Sequence, residues 1–375
     1  MPGIKNIFHL GAKELRSLWH DKVLFLFVIW VFSGGIYTAA TATSQELHNA
    51  PLAIVDEDRS QLSGRIIDSF YGPYFKTPER IEQTQVDPGL DSGLYTFVMV
   101  IPYGFEKDVI EGRQPEIQVN IDATRMSQAF IGAGYINSIT LSAIGEFLKG
   151  YRGEVISAIK QQICIKFNPN LTSYWFGSVM EIINNITMLS IILTGAALIR
   201  EREHGTIEHL LVMPLTPLEI MAAKVWSSGL VVLTGAGLSL WLIVQKVLGV
   251  PIAGSVVLFL VGTAFHLFST TSIGIFLGTL ARSMPQLGLL MILVLLPLQI
   301  LSGGITPRES MPQIVQMVMQ FAPTTHFVAF AQAILYRGAG LEAVWLNLIA
   351  IIAIGSVFFI IALLRFRKSI TLTQV

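Results

Sequence analysis

The stretch REREHGTIEHLLVMPLTPLEIMAAK, residues 200–224, decides how this chain is read. It holds seven charged side chains and two histidines, and Gly205, Pro214 and Pro217 punctuate it. On both sides the chain is apolar for about twenty residues, the length that crosses a hydrocarbon layer of about 30 Å. A charged insert between two such segments reads as a loop at a membrane surface.

Composition agrees. Of 375 residues, 52% are hydrophobic and 13% charged, and the mean hydropathy is +0.61. An ordinary soluble domain carries about 25% charged residues, so much of this chain belongs in lipid. Basic and acidic residues balance at 25 each, which leaves no excess positive charge for nucleic acid. Cys164 is the only cysteine, so no internal disulfide framework exists. It reads as a small apolar filler.

Stretches free of Asp, Glu, Lys and Arg give six expected spans. They are Val23–Gln45, a segment from about Phe176 to Ile199 that includes Glu181, Val225–Gln245, one from about Gly254 to Ala281, Ser283–Pro307 and Ala343–Leu364. With the N-terminus inside, eleven Lys and Arg residues flank the spans on the inner side and three on the outer. That bias places both termini, and residues 200–224, in the cytoplasm. Ala40-Thr41-Ala42 resembles a signal-peptide cleavage site, but the leading polar region and apolar run are too long, so a retained anchor is expected.

Ile4, Ile7, Phe8, Leu15, Leu18 and Trp19 recur at helical spacing, opposite Lys13, Glu14 and Arg16. Residues 1–22 therefore read as an amphipathic helix in the cytoplasmic interface. Residues 44–175 carry sixteen acids and eleven bases. Strands expected at Leu52–Val55, Leu94–Ile101 and Ile117–Ile121 alternate there with helices, the pattern of an α/β domain. A helix from about Met126 to Ile165 leads back to the membrane. Asp56, Glu57 and Asp58 lack the spacing of a calcium loop and read as turn carboxylates.

Enzyme signatures are missing. No Gly-Lys pair occurs, so there is no phosphate-cradling P-loop, and neither H-E-x-x-H nor G-x-S-x-G is present. His204 and His209 are five apart, wrong for two metal ligands on one helical face, and no metal site is expected. His266 reads as a satisfied interior residue. Glu181 is the acid inside an expected span, with Asn184 and Asn185 about one turn on; a membrane carboxylate marks a candidate translocation path. An interfacial position for Glu181 stays open. In the cytoplasmic loop, Thr206 can cap a short helix with Ile207, Leu210 and Leu211 on one face and Pro214 closing it. Thr216-Pro217-Leu218-Glu219 then has the form of a capping box that starts the third span. Such a helix suits insertion into a partner's groove.

R-E-R-E-H-G-T-I-E-H-L-L-V-M-P resembles the cytoplasmic signature of type-2 ABC transporter permeases, and the likeness extends over the whole chain. LAIVDEDRSQLSGRI, QVNIDATRMSQAF, RSMPQLGLL and LSGGITPRESMPQ are similar to segments of an enterobacterial inner-membrane member. The resemblance implies an α-helical polytopic membrane protein with six transmembrane helices and a large α/β periplasmic domain between helices 1 and 2. It implies a permease subunit of an exporter in a bacterial inner membrane, itself non-catalytic, moving an amphiphilic or drug-like substrate. ATP and Mg would sit on a separate ATP-binding subunit. Glu201, Glu203, Gly205, Thr206, Glu208, Leu210, Leu211 and Pro214 match the coupling motif that docks on that subunit. A second permease copy, a periplasmic adaptor and membrane lipid are further implied partners. An outer re-entrant helical pair maps onto residues 302–337. The competing class is a channel or ion-coupled secondary transporter working without an ATPase.

Overall fold

The computed structural model describes residues 2–42, 49–122, 126–152, 173–203, 215–306 and 308–373. Contacts group the chain into two compact units, Ser44–Ser173 and Met1–Thr43 with Tyr174–Val375.

The larger unit begins with α1 (Pro2–His20), then α2 (Lys22–Trp30), a π-helical segment Val31–Gly35 and α3 (Ile36–Ala42), which form one continuous rod from Lys22. Asp21 caps α2 by accepting from the Leu24 amide at 3.1 Å.

In the smaller unit, β1 (Leu52–Asp56) leads into α4 (Gln61–Asp68), β2 (Glu79–Arg80) and α5 (Val86–Asp91). β3 (Phe97–Ile101), α6 (Phe105–Ile110), β4 (Gln118–Ile121) and α7 (Met126–Arg152) follow. The sheet order is β2-β1-β3-β4, with β1 parallel to both neighbours and β4 antiparallel to β3. Alternation along β1 and β3 sends Leu52, Ile54, Phe97, Met99 and Ile101 into a core with α4, α6 and α7. Ala53, Val55, Val98 and Val100 face a smaller cluster with Val86 and Tyr95. α7 crosses the sheet closely, since a Cβ at Gly132 would overlap the Phe97 ring. The turn acids act as caps. Asp56 accepts from the Arg59 amide and the Ser63 hydroxyl, and Asp58 accepts from the Glu106 amide.

The larger unit resumes with α8 (Ser173–Glu203), α9 (Pro217–Ser239, continued by π-helical Leu240–Val247) and α10 (Val256–Leu280). After them come α11 (Met284–Ile300), α12 (Gln313–Met319), α13 (Pro323–Leu335) and α14 (Leu341–Thr373). Among the described residues, five segments are long and apolar enough to cross a membrane: Lys22–Thr41, Tyr174–Glu203, Pro217–Val247, Val256–Leu280 and Leu341–Lys368. The span expected over Ser283–Pro307 is shorter, α11 ending at Ile300 after 17 residues. Pro297 removes a ladder donor there, and Gly303 turns the backbone left-handed at φ 94°. α8 is the most enclosed of the five and α14 the least. α8 and α10 meet through small residues. A Cβ at Gly274 would overlap the Thr194 hydroxyl and stand 2.6 Å from the Ile191 carbonyl, so the two backbones touch only because Gly274 has none.

Candidate functional site

Residues 204–214, with Gly205, Thr206, Glu208, Leu210, Leu211 and Pro214, lie outside the described residues, as does Cys164. Their two flanks are described, and both are bonded to neighbouring helices. On the upstream side, α8 ends at the corner between α10 and α11. Arg202 donates to the Ala281 carbonyl at 2.8 Å, at the C-terminus of α10, where a helix end favours a cation. Glu203 accepts from the Met284 amide at 2.9 Å, at the N-terminus of α11, where a carboxylate is favoured. One turn of α8 thus caps two helices at once. Arg200 pairs with Asp21 at 3.0 Å, which fixes the start of α2.

On the downstream side the capping box read from the sequence is formed. The Glu219 amide donates to Thr216 Oγ1 at 3.3 Å, and the Thr216 amide donates to Glu219 Oε2 at 2.7 Å. The other Glu219 oxygen accepts from Asn6 Nδ2 at 3.1 Å, so the cap of α9 also holds α1. α1 then runs along α9. Trp226 stacks on Phe8 with ring centroids 5.7 Å apart and donates to the Ile7 carbonyl at 3.1 Å. Gly11 leaves room for the Trp226 ring, which a Cβ would overlap.

Lys224 joins the two flanks. Its ammonium, 1% exposed, lies 2.8 Å from Glu14 Oε1 on α1 and 2.7 Å from Glu201 Oε2 on α8. Burial pushes the Glu14 carboxyl up, but the Lys224 charge and hydrogen bond outweigh it and hold that carboxyl below its ordinary value. The ionic triad therefore fastens α1, α8 and α9 at one point, and Glu201 and Glu203 belong to the same bonded corner.

The candidate path residues behave differently. Glu181 and Asn184 are half-buried on α8, and Asn185 is buried. Asn185 Nδ2 donates to the Val31 carbonyl at 3.1 Å, where the first rod turns π-helical and its normal ladder is interrupted. Asn185 thus joins two helices. His266 is fully buried, stacks on Phe327 at 3.9 Å and meets Thr187 Oγ1 at 2.9 Å.

The ABC-2 family transporter protein family matches residues 23–364. The chain belongs to the ABC-2 transporter family. It is 61% identical to the inner membrane transport permease YhhJ of Escherichia coli (strain K12) over 370 residues, covering 99% of each chain. It is 26% identical to the probable multidrug ABC transporter permease YbhR of the same organism, covering 97% of this chain and 99% of that one. It is 24% identical to the probable multidrug ABC transporter permease YbhS of that organism, covering 97% of each. As an ABC-2 permease, the chain is a membrane subunit of an ABC transporter, and the family implies association with an ATP-binding subunit. Inner-membrane placement follows from the YhhJ relative and from the apolar helices.

Sequence reasoning on this ABC-2 permease missed the Lys224 triad, having counted Lys224 only as an inner-flank charge. A signal was present. Lys224 sits seven residues inside a helix that starts at Pro217, and Glu14 is the one acid in α1. A basic side chain carried into an apolar helix demands an acidic partner.

Proposed function

We propose that this permease couples ATP hydrolysis on a separate subunit to export of an amphiphilic or drug-like substrate, with residues 201–214 as the docking element. The observation that carries the reading is the anchoring of both flanks of 204–214. Glu201, Arg202 and Glu203 bind α9, the end of α10 and the start of α11, while Glu219, locked by its cap with Thr216, binds Asn6 of α1. A push delivered to the intervening segment reaches five helices through short polar bonds. Helices are stiff, so the push moves their far ends.

In this reading Glu201 and Glu203 hold the elbow in place. Leu210 and Leu211 fill an apolar groove on the ATP-binding subunit, with Gly205, Thr206, Glu208 and Pro214 shaping the helix between. ATP and Mg belong to that partner, consistent with the missing P-loop here. Both termini face the cytoplasm, α11 serves as a short sixth span, and Ser44–Ser173 lies in the periplasm, where an adaptor can reach it. α12 and α13 form an outer re-entrant pair in the 302–337 segment. A second permease copy completes the path, in which Glu181 and Asn184 are the candidate polar contacts and Asn185 positions the first span.

The test is co-purification. Leu210→Glu with Leu211→Glu abolishes recovery of the ATP-binding subunit while the permease still inserts. Unchanged recovery overturns the docking assignment, and ATP-independent transport in vesicles favours an ion-coupled carrier.

A further inference from the structure

The sheet of the Ser44–Ser173 unit reverses its connections at one place. β1 leads into α4, whose Leu62, Ile66 and Ile67 pack on one sheet face, and β2 leads towards α5, whose Val86 and Leu90 pack on the other. β1 and β2 are parallel neighbours. The chain thus leaves their carboxyl ends towards opposite faces, and open α/β sheets bind ligands in the crevice such a divergence leaves. A crevice of about 710 Å³ lies there. Asp56, Arg59 and Gly64 line it from the β1 side, and Arg80, Ile81 and Glu82 from the β2 side.

Its charges are balanced in number but not in engagement. Asp56 accepts from the Arg59 amide at 2.9 Å and the Ser63 hydroxyl at 3.1 Å, and Glu82 accepts from the Gln85 amide. A carboxylate offers about four lone-pair sites, so both acids keep room for a further donor. Among the described residues, the guanidiniums of Arg59 and Arg80 have neither a hydrogen bond nor an ion pair. Two cations against two carboxylates leave no net charge, which gives a bare anion no advantage. The set suits a ligand that carries one charge of each sign. Ile81 is the one apolar side chain among the described lining residues, and no aromatic ring stands there for a sugar or a drug-like molecule to stack on. The volume falls within the range of about 300–1,000 Å³ usual for small-molecule sites, and it exceeds the needs of a single amino acid.

We infer that this crevice binds a short peptide with free termini, its carboxylate on Arg59 and Arg80 and its ammonium on Asp56 and Glu82. A guanidinium matches a carboxylate through two parallel hydrogen bonds, and the two arginines reach it from different elements. The inference rests on the sheet topology of this unit and is independent of ATP coupling and of the exported substrate.

The test is titration calorimetry of the full chain in lipid nanodiscs with three probes: trialanine, the same peptide acetylated and amidated at its ends, and inorganic phosphate. Wild type binds one trialanine per chain, the blocked peptide at least about tenfold more weakly, and phosphate not at all. Arg80→Gln weakens trialanine about tenfold or more, the loss of a hydrogen bond between charged groups. Gly64→Phe abolishes binding, since a Cβ at Gly64 meets nothing within 4 Å and a ring there fills the crevice. Arg113→Gln, outside the lining and paired with Asp108 in wild type, binds as wild type does. If Gly64→Phe loses its thermal transition, Arg59→Gln replaces it, with the same loss expected as for Arg80→Gln. No binding of trialanine by wild type, equal affinity for the blocked peptide, phosphate binding as tight as the peptide's, or wild-type affinity in the crevice variants overturns the inference.

Discussion

One ammonium shared by two carboxylates makes Lys224 the most consequential side chain of the cluster that joins α1, α8 and α9. Removing one member of a buried ionic group costs about 3–5 kcal/mol, because the remaining charges stay buried without compensation. Lys224→Met is expected to lose about that much, read as a fall in thermal midpoint in detergent. Adding Glu14→Gln and Glu201→Gln should recover most of it, since an uncharged set avoids the penalty. The pH dependence has a definite sign. A carboxyl whose folded pKa is depressed stabilises fully above its unfolded value and loses that contribution as pH falls through the folded value. Glu14 is held below 4.5, so the wild-type midpoint drops as pH falls below about 4.5. Glu14→Gln alone lacks that component, and an acid profile identical to wild type in that variant would refute the role given to Glu14. The Thr216 cap was legible because both of its partners lie within four residues. The triad was not, since Lys224 and Glu14 stand 210 positions apart and no periodicity links them.

At the scale of elements, long apolar periodicity was readable and local backbone defects were not. β1 and β3 follow from the continuous apolar runs Leu52–Val55 and Phe97–Ile101, whereas β2 is only Glu79–Arg80 and carries no apolar signal. The π-helical turns at Val31–Gly35 and Leu240–Val247 sit inside runs that read as ordinary helix. α11 stops at Ile300, before Leu301-Ser302-Gly303-Gly304 with its left-handed Gly303, an end that the charge-free run to Pro307 did not reveal. Close helix packing gives a sharp contrast. Gly274→Ala forces α8 and α10 apart against a fixed carbonyl and is expected to cost about 1–3 kcal/mol, the range for overpacking. Gly288→Ala on α11 enters open space and is expected to be neutral or stabilising by up to about 1 kcal/mol from helix propensity. Unfolding in mixed detergent measures both, and equal effects would contradict the contact at Gly274.

At the scale of the whole chain, the sheet-containing unit has its own core on one sheet face and a second cluster on the other. A fragment spanning Ser44–Ser173 is therefore expected to fold without the membrane helices and to melt cooperatively. Phe97→Ala in that fragment should cost about 3–5 kcal/mol, the usual loss for a buried aromatic. A non-cooperative melt of the parent fragment would show that the unit depends on the spans. Composition and patterning made this division legible from the charge content of residues 44–175 alone. The arrangement of helices in the larger unit was not legible, because lipid-facing and buried residues are equally apolar and hydropathy does not distinguish them.

The bonds from α1 to α9 also carry a time. Asn6 meets Glu219 across 213 positions, and Glu14 meets Lys224 across 210. At about 5–20 residues per second, synthesis of the intervening chain takes roughly 10–40 s. Throughout that interval Asn6 and Glu14 wait without their partners on α9. The first helix made is thus among the last to be fastened, when Lys224 arrives to claim Glu14.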